Sequence, residues 1–109
     1  MAVPVVNINI EKGADFNNTF TINNYDGSVF NLSGYDAVAK IRKYPESPIS
    51  HSFAVGITSF AGKITLSMGS TETLDLSNGR NYYDILITSD EGVKTRVIEG
   101  SALVSPSIS

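Results

Sequence analysis

The chain has one histidine, His51, set between serines in Ile49-Ser50-His51-Ser52-Phe53. Histidine is the side chain that most often serves as the base beside a serine nucleophile. Strand alternation, however, puts His51 on the opposite side from Ser50 and Ser52, beside a proline-rich loop, where it reads as a rim residue. With one histidine and no cysteine, a zinc site would consist mostly of carboxylates, an unusual donor set for that ion. Paired carboxylates are the remaining catalytic option, as in glycoside hydrolysis. The candidates are Asp84, Asp90, Glu91 and Glu99. Asp90 and Glu91 fall in Ser89-Asp90-Glu91-Gly92, where acidic side chains satisfy turn backbone. Asp84 and Glu99 interrupt apolar strands, and Arg80, Arg96, Arg42 or Lys40 could face them across a ladder. Structural ion pairs that hold sheet register are the expected role. Asn23, Asn24 and Asp26 offer oxygens for calcium, but the EF-hand spacing is missing and all three are ordinary turn residues. The sequence therefore predicts a non-enzyme with no catalytic residue, no metal ligand and no cofactor.

The elements that carry these residues follow a period of two, not 3.6. In one stretch Phe16, Phe20 and Ile22 face one way; in the next, Tyr35, Ala37, Ala39 and Ile41 face inward while Asp36, Lys40 and Arg42 face out. Tyr83, Ile85 and Ile87 share a third face. This is the pattern of half-buried antiparallel strands. Seven strands are expected: Val5–Ile10, Phe16–Ile22, Tyr35–Lys43, Ser50–Ile57, Lys63–Ser67, Asn81–Thr88 and Val93–Ser105. Turn signals separate them at Asp26-Gly27, Leu32-Ser33-Gly34 and Ser89-Asp90-Glu91-Gly92. Tyr44-Pro45-Glu46-Ser47-Pro48 holds two prolines and cannot be central strand. The segment 70–76 is the one helical candidate, with Ser70 or Thr71 capping a single turn that carries Glu72, Leu74 and Leu76. Val93, Thr95 and Val97 fall on odd positions but Ala102 and Val104 on even ones, which predicts a bulge near Glu99-Gly100.

Seven short strands at this spacing predict an all-β, immunoglobulin-like antiparallel sandwich with at most one helical turn. The 109 residues suit a single domain, 1–109, with short flexible ends at 1–3 and 106–109. The net charge of −3 argues against nucleic acid, whose binders need a basic stripe. No apolar run has the length of a membrane span, and Met1-Ala2-Val3-Pro4 lacks the features of a secretory signal peptide.

In their order, several blocks resemble those of small β domains in tailed-bacteriophage virions, such as the N-terminal domain of upper baseplate proteins. They are Gly13-Ala14-Asp15-Phe16 with Thr19-Phe20-Thr21-Ile22, and Leu32-Ser33-Gly34-Tyr35 leading to Ala39-Lys40-Ile41-Arg42-Lys43. Then come Gly62-Lys63-Ile64-Thr65-Leu66-Ser67, Gly79-Arg80 with Tyr82-Tyr83-Asp84-Ile85, Gly92-Val93-Lys94-Thr95-Arg96-Val97, and Glu99-Gly100 before Val104-Ser105-Pro106. Relatives commonly place an aromatic two residues after the Gly, where this chain has Asn81, so Tyr82 or Tyr83 would have to supply any tyrosine-corner bond.

The resemblance implies a virion structural protein, made in the host cytoplasm, that acts by assembly as a baseplate or tail module or a capsid decoration. Its partners would be other virion proteins and copies of itself, in symmetric contacts. Val3–Ile10 could pair with a neighbouring sheet, and Tyr25, Phe30, Tyr44 and Phe60 are the candidate contact aromatics. The alternative is a carbohydrate- or receptor-binding module for a host-surface glycan, with Tyr25, Asn24 and Asp26 as its platform.

Overall fold

The alternating segments become strands in the computed structural model, which describes residues 5–23, 27, 28, 30–44, 46 and 50–106. Eight strands run along the described residues: β1 Ile8–Glu11, β2 Phe16–Thr21, β3 Asp36–Arg42, β4 Ser50–Ser52, β5 Ala54–Thr58, β6 Lys63–Met68, β7 Gly79–Thr88 and β8 Lys94–Ser105. One helical turn, α1 (Ser70–Thr73), crosses between β6 and β7. The strands form a five-stranded sheet in the order β1-β8-β7-β3-β4 and a three-stranded sheet in the order β2-β6-β5. This is an all-β sandwich. β3, β7 and β8 oppose β2, β6 and β5 with the strand partition of the immunoglobulin-like fold.

One cluster fills the space between the sheets. Ile64 and Leu66 from the small sheet meet Ile41, Ile85, Ile87 and Val104 from the large one, and all six are fully buried. Phe16–Phe53, Phe20–Tyr83 and Phe53–Tyr83 ring pairs, 5.7 to 6.4 Å between centroids, fill one region of it. The turns at Leu32-Ser33-Gly34 and Ser89-Asp90-Glu91-Gly92 sit where the sequence puts them, and Asp26 of the Asp26-Gly27 turn lies outside the described residues. Tyr35 N–H donates to Leu32 O at 3.0 Å around Gly34, whose φ of 82° needs a glycine. Ser89 N–H donates to Val93 O at 2.9 Å, closing the hairpin between β7 and β8.

Several expectations are corrected. The predicted strand Ser50–Ile57 is two strands in different sheets. β4 pairs with β3, β5 pairs with β6, and Phe53 is buried between them with its N–H on Ala39 O at 3.0 Å. The first strand is parallel to β8, not antiparallel, with Ile8 opposite Ala102 and Ile10 opposite Val104. A parallel pair needs a long crossover; here almost the whole sandwich supplies it. Val5 to Ile10 lies against the chain's own β8, with β1 at the edge of the sheet.

The bulge lies at Val97, not at Glu99-Gly100. Register passes from Ile85↔Ile98 to Leu86↔Arg96, leaving Val97 unmatched. Val97 and Ile98 are consecutive and both buried, which strict alternation forbids and a bulge permits. Val93, expected to open this strand, precedes β8 and is exposed. Gly100 has another role: a Cβ there would lie 2.1 Å from Val6 O, so the absence of a side chain lets the N-terminal segment cross.

Around α1 the expected serine or threonine cap is replaced. Gly69 is the N-cap, and Asp15 Oδ1 accepts from Ser70 N–H at 2.8 Å. Thr73, fully buried, accepts from Gly13 N–H at 3.0 Å, and its hydroxyl lies 3.0 Å from Ala14 O and from Ser70 O. Leu76 enters the core, whereas Leu74 stays exposed. At the next corner Asn81 is buried and donates through Nδ2 to Ser77 O at 2.8 Å and Gly79 O at 3.1 Å. The corner bond expected of Tyr82 or Tyr83 is thus made by an amide.

Candidate functional site

Cross-strand register decides which residues meet on the outer face of the five-stranded sheet. One row reads Ser50, Arg42, Tyr82, Ser101, and Asn7 extends it by accepting from Ser101 N–H at 3.1 Å. The next reads Ser52, Lys40, Asp84, Glu99, Val5. A third places Val38 beside Leu86 and Arg96, and a fourth places Arg80 beside Leu103 and Asn9. These residues are the outward half of the alternation whose inward half is Ala39, Ile41, Tyr83 and Ile85. Between the rows runs a groove of about 510 Å³ lined by Lys40, Arg42, Arg80, Tyr82, Asp84, Arg96 and Glu99, among others.

The face has apolar and charged parts. Val5, Val38, Tyr82 and Leu103 are 68, 48, 38 and 51% exposed on it. Arg96 Nε lies 3.1 Å from Asp84 Oδ2, and an Arg96 guanidinium nitrogen lies 3.7 Å from Glu99 Oε1. The structure thus brings three of the six ion-pair candidates, Asp84, Glu99 and Arg96, into one triad. Arg42 and Arg80 line the same groove. The triad is half exposed, so solvent screens it and its worth is small. Arg96→Gln should lower unfolding free energy by less than ~1 kcal/mol, measured by urea titration. A loss of several kcal/mol would mean that the triad, not the core, fixes the register of β7 and β8.

Other candidates lie elsewhere. Phe30 is half-buried against the core and meets Tyr35 edge-on at 5.5 Å. Tyr44 is exposed just past β3, and Phe60, 82% exposed, sits on the 3₁₀ turn Ser59–Ala61 after β5. Tyr25, with Asn24 and Asp26, lies outside the described residues. His51 is half-buried on β4 opposite Ile41. No group of three or more His, Asp and Glu residues among the described ones is placed to hold a metal ion. No helix among them is long and apolar enough to cross a membrane.

The chain matches no protein-family model, and no curated protein is similar to it. The site therefore rests on its own geometry. Four of its members were not singled out from the sequence as contact residues: Val5, Val38, Tyr82 and Leu103. The available signal was that each falls on the outward phase of a strand yet is apolar or aromatic.

Beneath the groove, Tyr83 turns inward and its hydroxyl donates to Val6 O. Burial pushes the phenol up to about 12 from its ordinary 10. The unfolded chain gives up this proton near pH 10 and the folded chain near pH 12. Tyr83 thus contributes stability that is fully present below pH 10 and is lost as pH rises from about 10 through about 12. Tyr83→Phe should be less stable at neutral pH, through the lost hydrogen bond, but its midpoint should fall less steeply across that window. Thermal melts of both chains across the alkaline range provide the check. Parallel curves would mean that Tyr83 does not carry the alkaline transition.

Proposed function

We propose that the chain is a structural protein of a tailed-bacteriophage virion, a baseplate, tail or capsid-decorating module that acts by protein–protein assembly. The observation that supports assembly most is the outer face of the five-stranded sheet. Val5 and Tyr82 are exposed in the lining of a groove edged by arginine and lysine, and Val38 and Leu103 are exposed on the same face in other rows. Tyrosine and arginine are the side chains that interfaces favour and that dominate their energetics. The virion assignment draws on the resemblance of the turn-and-strand blocks from Gly13 to Pro106.

Quantitative mass spectrometry of particles purified from cultures that produce the chain tests this. A fixed copy number relative to the major particle proteins is expected. Abundant synthesis with exclusion from particles would overturn the assignment.

A further inference from the structure

The groove holds four of the chain's eight basic side chains, Lys40, Arg42, Arg80 and Arg96, and two of its eleven acidic ones, Asp84 and Glu99. That is a local charge of +2 in a chain of −3, so everything outside the groove carries −5. Arg96 is committed to Asp84 and Glu99. Lys40 and Arg80 form no ion pair among the described residues, and they flank Tyr82 along the strands. The groove thus has a net cationic lining with an aromatic wall, and its own two carboxylates, Asp84 and Glu99, are held by Arg96.

At the far end of the same two strands is its complement. The β7–β8 hairpin turn carries Asp90 and Glu91, both exposed, next to Val93, which is 59% exposed, and Lys94 at its base leaves the tip a net charge of −1. A two-carboxylate tip with one apolar neighbour matches a slot of cations with one aromatic wall. The tip cannot enter its own groove: the six extended steps from Asp84 to Asp90 put them roughly 20 Å apart. It can enter the groove of another molecule.

We infer that the acidic tip of one copy of this chain docks in the cationic groove of the next. The contact joins two different surfaces, so copies add head to tail and either close into a ring or extend as a row. Laying the groove face on a second groove face would oppose two surfaces of like net charge, which disfavours the two-fold alternative. This inference deepens the assembly reading and depends on it for its biological setting.

The test is self-association of the full chain by sedimentation velocity over a wide concentration range, in about 10 mM and about 1 M salt, where Debye lengths are roughly 30 Å and 3 Å. Association is expected at low salt and its loss at high salt. Reversing the groove (Lys40→Glu with Arg80→Glu) or the tip (Asp90→Lys with Glu91→Lys) should each weaken association at least ~10-fold. Mixing the two reversed chains should restore it, because each then offers the charge the other lacks. Unfolding midpoints near that of the parent chain establish that both variants are folded.

A chain that stays monomeric at low salt, association indifferent to both reversals, or a mixture that fails to recover would each overturn the inference. Particle composition is measured separately. Incorporation into particles without salt-sensitive association overturns this contact and leaves the virion assignment standing. Salt-sensitive association without incorporation supports the contact and overturns the assignment.

Discussion

Replacing Gly100 with alanine should cost about 3 kcal/mol, the upper part of the range for forcing atoms into filled space. The added Cβ would stand 2.1 Å from Val6 O and 2.8 Å from Val6 C. Both are backbone atoms, so no side-chain rotation relieves the clash, and the N-terminal segment must move away from β8. That movement strains the bond from Val6 N–H to Glu99 O at 2.9 Å and the one from the Tyr83 hydroxyl to Val6 O. It also pulls on Asn7, whose Oδ1 accepts from both the N–H and the hydroxyl of Ser101. Each such bond contributes about 1 kcal/mol net. Gly56 is the matched control: it lies in β5, and a Cβ there meets nothing within 4 Å. Gly56→Ala should be neutral or stabilise the chain by up to ~1 kcal/mol through the unfolded state. Urea midpoints for the two variants should therefore move apart. If Gly100→Ala costs no more than Gly56→Ala, the N-terminal segment is not seated on β8 as described.

Gly100 also marks a boundary in what the sequence discloses. A glycine late in a strand announces a departure from regular pairing, and the phase change from Val97 to Ala102 points the same way. Both signals are local. Whether the glycine relieves a bulge or admits a crossing segment depends on a residue more than ninety positions away, and no periodicity carries that information. The bulge itself was legible more closely than its expected place: Val97-Ile98 are two adjacent β-branched residues, and both are buried. Two neighbours on a regular strand cannot share one face.

The candidate face was legible in its parts and not as a whole. Alternation alone puts Lys40, Arg42, Tyr82, Asp84 and Glu99 on the outward side of their strands, and composition alone makes Asp84 and Glu99 the anions to watch. Which of them meet is a matter of register across β3, β7 and β8, set by strand order and by the bulge at Val97. Shifting β8 by one residue would turn Glu99 inward and remove the triad with Arg96. The charge separation between groove and hairpin tip is likewise invisible in a net charge of −3. It appears only when residues 40 to 101 are laid into rows.

Phe53 is the residue whose loss should hurt most. Nothing in Ser50 to Thr58 breaks a strand by composition, since no proline occurs there and Gly56 is central to β5. Yet the chain leaves one sheet after Ser52 and joins the other at Ala54. The switch is held from both sides at Phe53. Its N–H donates to Ala39 O at 3.0 Å, keeping the chain on β3, while its ring is buried against Phe16 at 5.7 Å and Tyr83 at 6.4 Å, between the sheets. Phe53→Ala keeps the backbone bond and removes the ring, so it isolates the packing. About 4 kcal/mol should be lost, as for other buried phenylalanines cut to alanine, with Phe53→Leu losing roughly a third of that. β5 should also lose amide protection to exchange more than β7 does, because the ring fixes the point from which β5 departs. A cost below ~1 kcal/mol for Phe53→Ala, or equal loss of protection in both strands, would mean that ladder bonds alone set the crossing. In that case the split of Ser50–Ile57 would follow from the pairing of β5 with β6 and not from the residue between them.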